Sequence, residues 1–529
     1  MNTTILHLRQ DLARLRWLVA AWLAIVLVRF SSALSNPFTV SDRIDSSLWG
    51  LEGILFSAAP ALLTILVMLG LSLYRPTAFW PTRPFRRRDL LSSKLAFFGL
   101  VFLGPLAIGQ ILVLSSFGAG WKETFFGLAE SLAFETAIVL CIAGLAALAG
   151  TLPRTLILLL GIFTLCSALY WPLANLLRFD HHYLGILQEF WLISSRDLGT
   201  ALVAAVMAAA LLIFQFWTRH RKRAVALATV FGLSLLVIHV LWAWPLSRFL
   251  VATTTQDEAP HLSIEKPREG YRRHQSGNSN LRFLLSQQIL NKVPSATAAE
   301  LAFSEVNLRY PGLEPIRKTS RGGRFGFHEA SARALSLEPE DGTSNHSLEL
   351  PNLLLYLTPQ EFSSIADLRG SLEARGDVRL FRNQISHQIR IEEGTRVSGQ
   401  GVYILVDKVR ILRKQIIVNI QERAVDLTLS PRCCATYWLE IPAVQEQGSK
   451  NFFRAEEIGE TTRYSRLGHA WFPKGQHRRL GLSFALWEEP HLPKNWLEEA
   501  RILRVDGYLE SYSEVGFTIN PFFARDFLR

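Results

Sequence analysis

The sequence predicts an α-helical polytopic membrane domain of about seven spans, followed by a β-rich α+β soluble domain for which a β-sandwich is the most economical arrangement. Three observations lead there. Long apolar runs crowd into the first half, basic residues collect on one side of those runs, and the second half changes to short β-branched and aromatic stretches separated by turn residues.

The chain has 529 residues and a mean hydropathy of +0.19 although 19% of it is charged, which implies two unlike halves. Residues 1–249 carry 20 Lys and Arg against 11 Asp and Glu, and residues 250–529 carry 36 against 34, so the net charges are +9 and +2. The basic excess therefore sits between apolar runs, where membrane insertion demands it, and is not read as a nucleic-acid footprint. Four cysteines cannot make a disulfide framework. Cys141 and Cys166 lie in apolar stretches, and Cys433 and Cys434 are neighbours whose bond would close a strained ring.

Backbone polar groups in hydrocarbon must be bonded internally, so a run of roughly 20 apolar residues crosses as a helix. Seven runs qualify, near 17–34, 53–74, 95–117, 131–150, 155–177, 199–217 and 224–246. The fourth and fifth are separated only by Thr151, Leu152, Pro153 and Arg154, which suits a tight helical hairpin. Ahead of the first run, apolar residues at 5, 8, 12 and 15 have helical spacing and read as an interfacial helix or a basic topology-fixing flank. That first run has no clean cleavage site after it and reads as an anchor, not a signal peptide.

With the N-terminus in the cytoplasm, the inner segments hold fourteen of the basic residues of this half and the outer segments six. An odd number of spans then puts the second half outside. The predicted location is the cell (inner) membrane, with an extracytoplasmic domain over 281–529 joined through a polar linker at 250–280.

Within that domain helical signals come first: 281–290 is amphipathic, 297–306 is Ala-rich, and Thr358-Pro359-Gln360-Glu361 is a capping box opening a helix to about Arg375. Strands are expected over 378–391, 402–406, 409–412, 415–421, 425–429, 437–441, 480–486 and 502–519, with turns such as Asp506-Gly507. The segments 318–323 and 338–347 read as loops, either of which could divide the domain into two subdomains.

Catalytic patterns are lacking. The sequence contains no phosphate-binding Gly-x4-Gly-Lys-Ser/Thr loop, no His-Glu-x-x-His, no Gly-x-Ser-x-Gly and no Cys-x-x-Cys, so no enzyme activity, cofactor or metal is assigned. His181 and His182 near Asp180 and Glu189 are read as ordinary loop residues, and Asn345-His346-Ser347 as a chance glycosylation triplet. Ionisable residues in or beside spans carry more information, because a charge in lipid is costly unless paired or wetted. Arg29, Glu52, Glu130 and Glu135 all fall toward the outer boundary and form a candidate intramembrane polar site, the alternative being snorkelling to headgroups.

The segment from Phe79 through Pro81, Arg83, Pro84, Arg86, Arg87, Arg88, Asp89 and Lys94 resembles the inner loop of type-2 ATP-binding-cassette exporter permeases, where proline, a small basic cluster and a lysine lead into the third helix. Leu12-Ala13-Arg14-Leu15-Arg16-Trp17 is similar to their N-terminal interfacial helix. The likeness covers the membrane half only, and a seventh span and the long C-terminal domain depart from the family's pattern. It implies a permease, working as a homodimer, coupled to a separate cytoplasmic ATPase through Arg83, Arg86, Arg87, Arg88, Asp89 and Lys94. Two functions follow as expectations. The first is the membrane subunit of an ATP-driven export or membrane-remodelling complex, and the alternative is a membrane-anchored extracytoplasmic binding or scaffold protein.

Overall fold

The computed structural model describes residues 3–35, 59–69, 87–177, 186–218, 220–241, 264–265, 279–285, 297–325, 331–332, 334–335, 352–412, 415–425, 427, 429, 432–442, 450–464, 475–486 and 496–524. A helical region is followed by a β-rich one. The helices are α1 (Thr3–Arg14), α2 (Arg16–Ser35), α3 (Ala59–Leu69), α4 (Arg87–Phe98), a π-helical turn (Gly99–Leu103), α5 (Gly104–Ser116), α6 (Trp121–Ala149), α7 (Leu152–Leu177), α8 (Ile186–Thr218) and α9 (Arg221–Leu241).

Among the described residues, four helical stretches are long and apolar enough to cross a membrane: Arg88–Ser116, Trp121–Ala149, Ser195–Thr218 and Lys222–His239. Arg16–Val28, Ala59–Leu69 and Leu152–Ile162 are apolar but shorter as described. Leu27, Leu100, Ile108, Leu160, Val206 and Leu233 are exposed on the outside of this bundle, an apolar surface that suits lipid and not water. Small residues bring α6 and α8 together: a Cβ built on Gly144 would lie 3.4 Å from Leu211, and the Gln215 amide donates to the Gly144 carbonyl at 3.3 Å. The expected tight hairpin is present, since α6 stops at Gly150 and α7 starts at Leu152.

Two local devices organise the front of the bundle. Pro105 has no N–H to return to the preceding turn, and the Val101 carbonyl one turn back accepts the Trp22 indole N–H at 3.0 Å, tying α2 to the π-helical turn. On α1, the buried side carries His7 and Asp11, continued by Leu15 just after the helix, while Ile5 is exposed. Asp11 therefore lies with the apolar residues, contrary to the simple amphipathic pattern, because the buried Lys94 on α4 binds it at 2.6 Å. Lys94 also donates to the Val67 carbonyl of α3 at 2.9 Å, so one ammonium joins three helices.

The β region has two antiparallel sheets among the described residues. In chain order the strands are β1 (Ile264–Glu265), β2 (Ser279–Leu285), β3 (Thr297–Arg309), β4 (Ile316–Phe325), β5 (Asn352–Leu357), β6 (Gly370–Arg390), β7 (Arg396–Gly399), β8 (Val402–Leu412), β9 (Gln415–Val425), β10 (Arg432–Pro442), β11 (Lys450–Arg454), β12 (Glu456–Tyr464), β13 (Gly475–Ala485) and β14 (Arg501–Phe522). The larger sheet runs β1-β2-β5-β4-β3-β6-β14-β10-β11, and the smaller β12-β13-β9-β8-β7. Period-two burial builds the space between them: Ile404, Val418 and Leu482 of the small sheet share a core with Ile389, Leu439 and Ile502 of the large one. This part of the fold is a β-sandwich.

Several expected elements differ. Residues 281–285 of the amphipathic segment and the Ala-rich 297–306 segment are not helical but fall in β2 and β3, where pairing with β5, β4 and β6 overrides local helical preference, and 286–290 lie outside the described residues. The capping box at Thr358 and Glu361 forms, yet its helix α10 (Pro359–Ile365) ends well before Arg375, which pairs in β6 with β3 and β14. The 318–323 loop is part of β4, whereas 338–347 lies outside the described residues. Strands expected at 402–406 and 409–412 are one strand with a register shift between Val406 and Lys408. Asp506 and Gly507 do not turn the chain. They sit inside β14, facing Gln384 and Asn383 on β6. Of the 250–280 segment, β1 and the first residues of β2 are described, and both belong to the large sheet.

Candidate functional site

The helices and the sandwich meet at two tight turns. One is the α5–α6 turn, in which Gly118 takes φ +61° and the Ala119 N–H bonds back to the Leu114 carbonyl at 3.0 Å. The other is the two-residue β7–β8 hairpin turn, with Gln400 at φ +47° and Gly401 at φ +74° between the paired Gly399 and Val402. Positive φ at both central residues matches the right-handed twist of the strands.

These turns touch backbone to backbone. The Gly401 N–H donates to the Phe117 carbonyl at 3.2 Å, and a Cβ added to Gly118 would fall 2.7 Å from the Gly399 Cα, closer than two carbons can approach. Phe117 then inserts its ring beside Tyr403, with centroids 6.0 Å apart at 82°, under the Arg423 guanidinium at 5.6 Å. Farther along α6, Leu427 packs over Gly127, and the Glu130 carboxylate accepts the Leu429 N–H at 2.7 Å. Val425 and Leu427 thus belong to the same apolar cluster as Trp22, Phe102 and Leu114 of the helices.

Beneath the β7–β8 turn lies a buried polar network. His387 on β6 places Nε2 3.0 Å from the Gly399 carbonyl and Nδ1 3.0 Å from the Ser386 hydroxyl. A carbonyl only accepts, so Nε2 carries the proton, while the Ser386 hydroxyl beside Nδ1 also lies within donating distance of the Arg504 carbonyl, at 3.2 Å. Burial, and next the Arg504 charge, push the His387 pKa down to about 4. Arg504 pairs with Asp506 at 2.9 Å and Glu422 at 3.2 Å, and the Tyr437 hydroxyl donates to Glu422. Burial, the largest single influence, would raise the Asp506 pKa, but the Arg504 charge, the Ser386 hydroxyl and the Arg432 charge together outweigh it and hold the carboxyl below its ordinary value. Desolvation and Glu422 push Tyr437 upward, which keeps it a phenol donor. Tyr508 donates to the Gln400 side chain, and Arg432 lies 5.2 Å from the Tyr508 ring centre. The network is charge-compensated and supports the turn on which the helices rest. No group of three His, Cys, Asp or Glu able to hold a metal occurs among the described residues.

The residues singled out from sequence are scattered. Glu130 is half of the junction, and Glu135, one and a half turns further along α6, is fully buried with neither carboxylate oxygen hydrogen-bonded. Arg29 lies in α2, and Glu52 lies outside the described residues. In the basic loop, Arg83 and Arg86 also lie outside them, Arg87 opens α4, Arg88 is exposed and Asp89 half-buried. Lys94 is 2% exposed, its ammonium engaged by Asp11. Sequence reading missed Phe117, Gly118, Gly399, Gly401, His387 and the Arg504 cluster. The Gly-Gln-Gly triplet between two β runs was a usable hairpin signal, but nothing local linked it to a turn 281 positions earlier.

Comparison with known protein families, characterised proteins and solved structures finds no match to this chain.

Proposed function

We propose that this chain is the membrane subunit of an ATP-driven export or membrane-remodelling complex, with the ATPase on a separate subunit and the sandwich as an extracytoplasmic arm. The observation that carries the reading is the seating of the sandwich on the α5–α6 hairpin through Gly401, Phe117, Leu429 and Glu130. A tethered anchor needs no such seat, whereas a protein that converts helix movement into work outside the bilayer does. The other end of the same hairpin leads through α4 to Arg88 and Asp89, the exposed and half-exposed members of the segment proposed to meet the ATPase.

The seat also bears on topology. The sandwich and the α5–α6 turn share one side of the membrane, and α6, α7, α8 and α9 between them, crossing once each, are an even number. Seven spans with a cytoplasmic N-terminus and an outer sandwich satisfy both this parity and the basic-residue distribution. Alkaline phosphatase fused after Arg529 is expected to be active and a fusion within 83–94 inactive. The full-length protein, purified in mild detergent from its own membranes, is expected to bring a nucleotide-binding subunit whose ATPase activity rises with its presence. Recovery without any ATPase would favour the scaffold reading instead.

A further inference from the structure

Glu135 is 0% exposed, and neither of its carboxylate oxygens has a hydrogen-bond partner. It shares its side of α6 with Ser131, Val139 and Ala143, all buried, the last two within the apolar core of the helices, so it points into the bundle and not toward lipid. Counting along both arms of the hairpin from the contact between Gly127 and Leu114 puts Glu135 level with Pro105 and Leu106, just beyond the π-helical turn. Single π-helical turns are local widenings of a helix that frequently accompany functional sites.

A carboxyl held this way must have its charge cancelled, and the surroundings offer no means. On the described parts of the elements packed against α6, α5 and the π-helical turn carry no titratable group. Arg154 on α7 and Lys222, Arg223 and His239 on α9 lie toward helix ends, Arg196 and Asp197, inside α8, lie 4.0 Å from each other, and none of these forms an ion pair with Glu135 among the described residues. A metal cation would want several further oxygens, where the neighbours are mostly aliphatic.

We propose that Glu135 is a proton-binding site in the helical core, loaded when α6 is packed as observed and able to exchange its proton when the core opens to water. Because Glu130, on the same helix, holds the sandwich, such opening would be felt at the junction. The proposal does not depend on an ATPase partner.

The test uses the full-length protein in phosphatidylcholine vesicles with dicyclohexylcarbodiimide, an apolar reagent for protonated carboxyls. The carboxyl oxygen bonds to the central carbon, the proton passes to one nitrogen, and the acyl group migrates to the other nitrogen with nothing leaving. Peptide mass spectrometry is expected to find this adduct on Glu135, its yield falling about tenfold per pH unit on the alkaline side of the midpoint. Glu135→Gln, which imitates the protonated form, is expected to lack the adduct and to melt with the parent protein. No adduct at any pH, a pH-independent yield, or a much lower melting temperature for Glu135→Gln would each overturn the proposal, the last by revealing a charge-paired carboxylate.

Discussion

The carboxylate of Glu130 accepts the backbone N–H of Leu429 at 2.7 Å across 299 positions of sequence. A charged acceptor on a part-buried amide is worth about 1.5–3 kcal/mol, and its loss leaves the amide without that partner. Glu130→Ala is therefore expected to raise hydrogen exchange in the peptide containing Leu427 and Leu429 of the detergent-solubilised protein, with little change in the distal strands β2 and β3. Gly118→Val should act more strongly, since it combines a left-handed backbone with a clash against Gly399. Unchanged protection in both variants would show that the seat is not occupied in solution.

Lys94 and Asp11 form a buried pair on which three helices converge. Removing one member leaves an uncompensated buried charge, which typically costs 3–5 kcal/mol, whereas replacing both with apolar groups of similar size is often neutral. Lys94→Met is expected to lower the thermal midpoint of the purified protein sharply, and adding Asp11→Leu to recover most of it. If Lys94 instead served only as a surface contact for another subunit, the single variant would melt normally.

The helical half was legible because a bilayer allows few solutions: apolar length and basic flanks locate helices almost regardless of tertiary context. The sandwich strands at 378–391, 402–421, 437–441, 480–486 and 502–519 were legible for a similar reason, since alternation of Ile, Val and Leu in 402–420 has no use except one buried face, but β7, β11 and β12 were not expected, and of the described residues in 425–429 only Val425 lies in a strand. The N-terminal strands were not legible either. Ala298, Ala299 and Ala302 have helical propensity, and only the long β6 beside them makes the segment a strand. Asp506-Gly507 looks like a turn until Arg504, two residues back on the same face, supplies the countercharge that allows an aspartate inside β14. The junction was invisible because its partners are hundreds of residues apart and it is made largely of backbone groups.

His387 links the junction to acidity. Its pKa of about 4 lies below the ordinary value of 6.5, so the unfolded chain binds more protons between those values. The stabilisation from a neutral His387 is complete above about pH 6.5 and is lost as pH falls toward 4, by about 3 kcal/mol in all. His387→Gln, which keeps a donor for the Gly399 carbonyl, is expected to flatten the part of the stability profile between pH 6.5 and 4. A profile of the same steepness in the variant would assign that acid sensitivity to other groups.

The tie between Trp22 and the π-helical turn gives a sharper double test. The Val101 carbonyl receives the indole N–H at 3.0 Å while Pro105, one turn ahead, has no N–H to offer. Trp22→Phe keeps most of the apolar packing against Phe102, whose ring centre lies 5.9 Å away, but withdraws the donor. It is expected to cost about 1–3 kcal/mol, the penalty for a buried acceptor that loses its partner. Pro105→Ala restores a backbone N–H within reach of that carbonyl and lets the helix close its own ladder. In the Pro105→Ala background, Trp22→Phe should therefore cost markedly less, a positive coupling readable from thermal or denaturant melts of the four proteins in one detergent. Additive costs across that cycle would mean that the indole hydrogen bond and the missing proline N–H are unrelated, and that the π-helical turn is held by apolar packing alone.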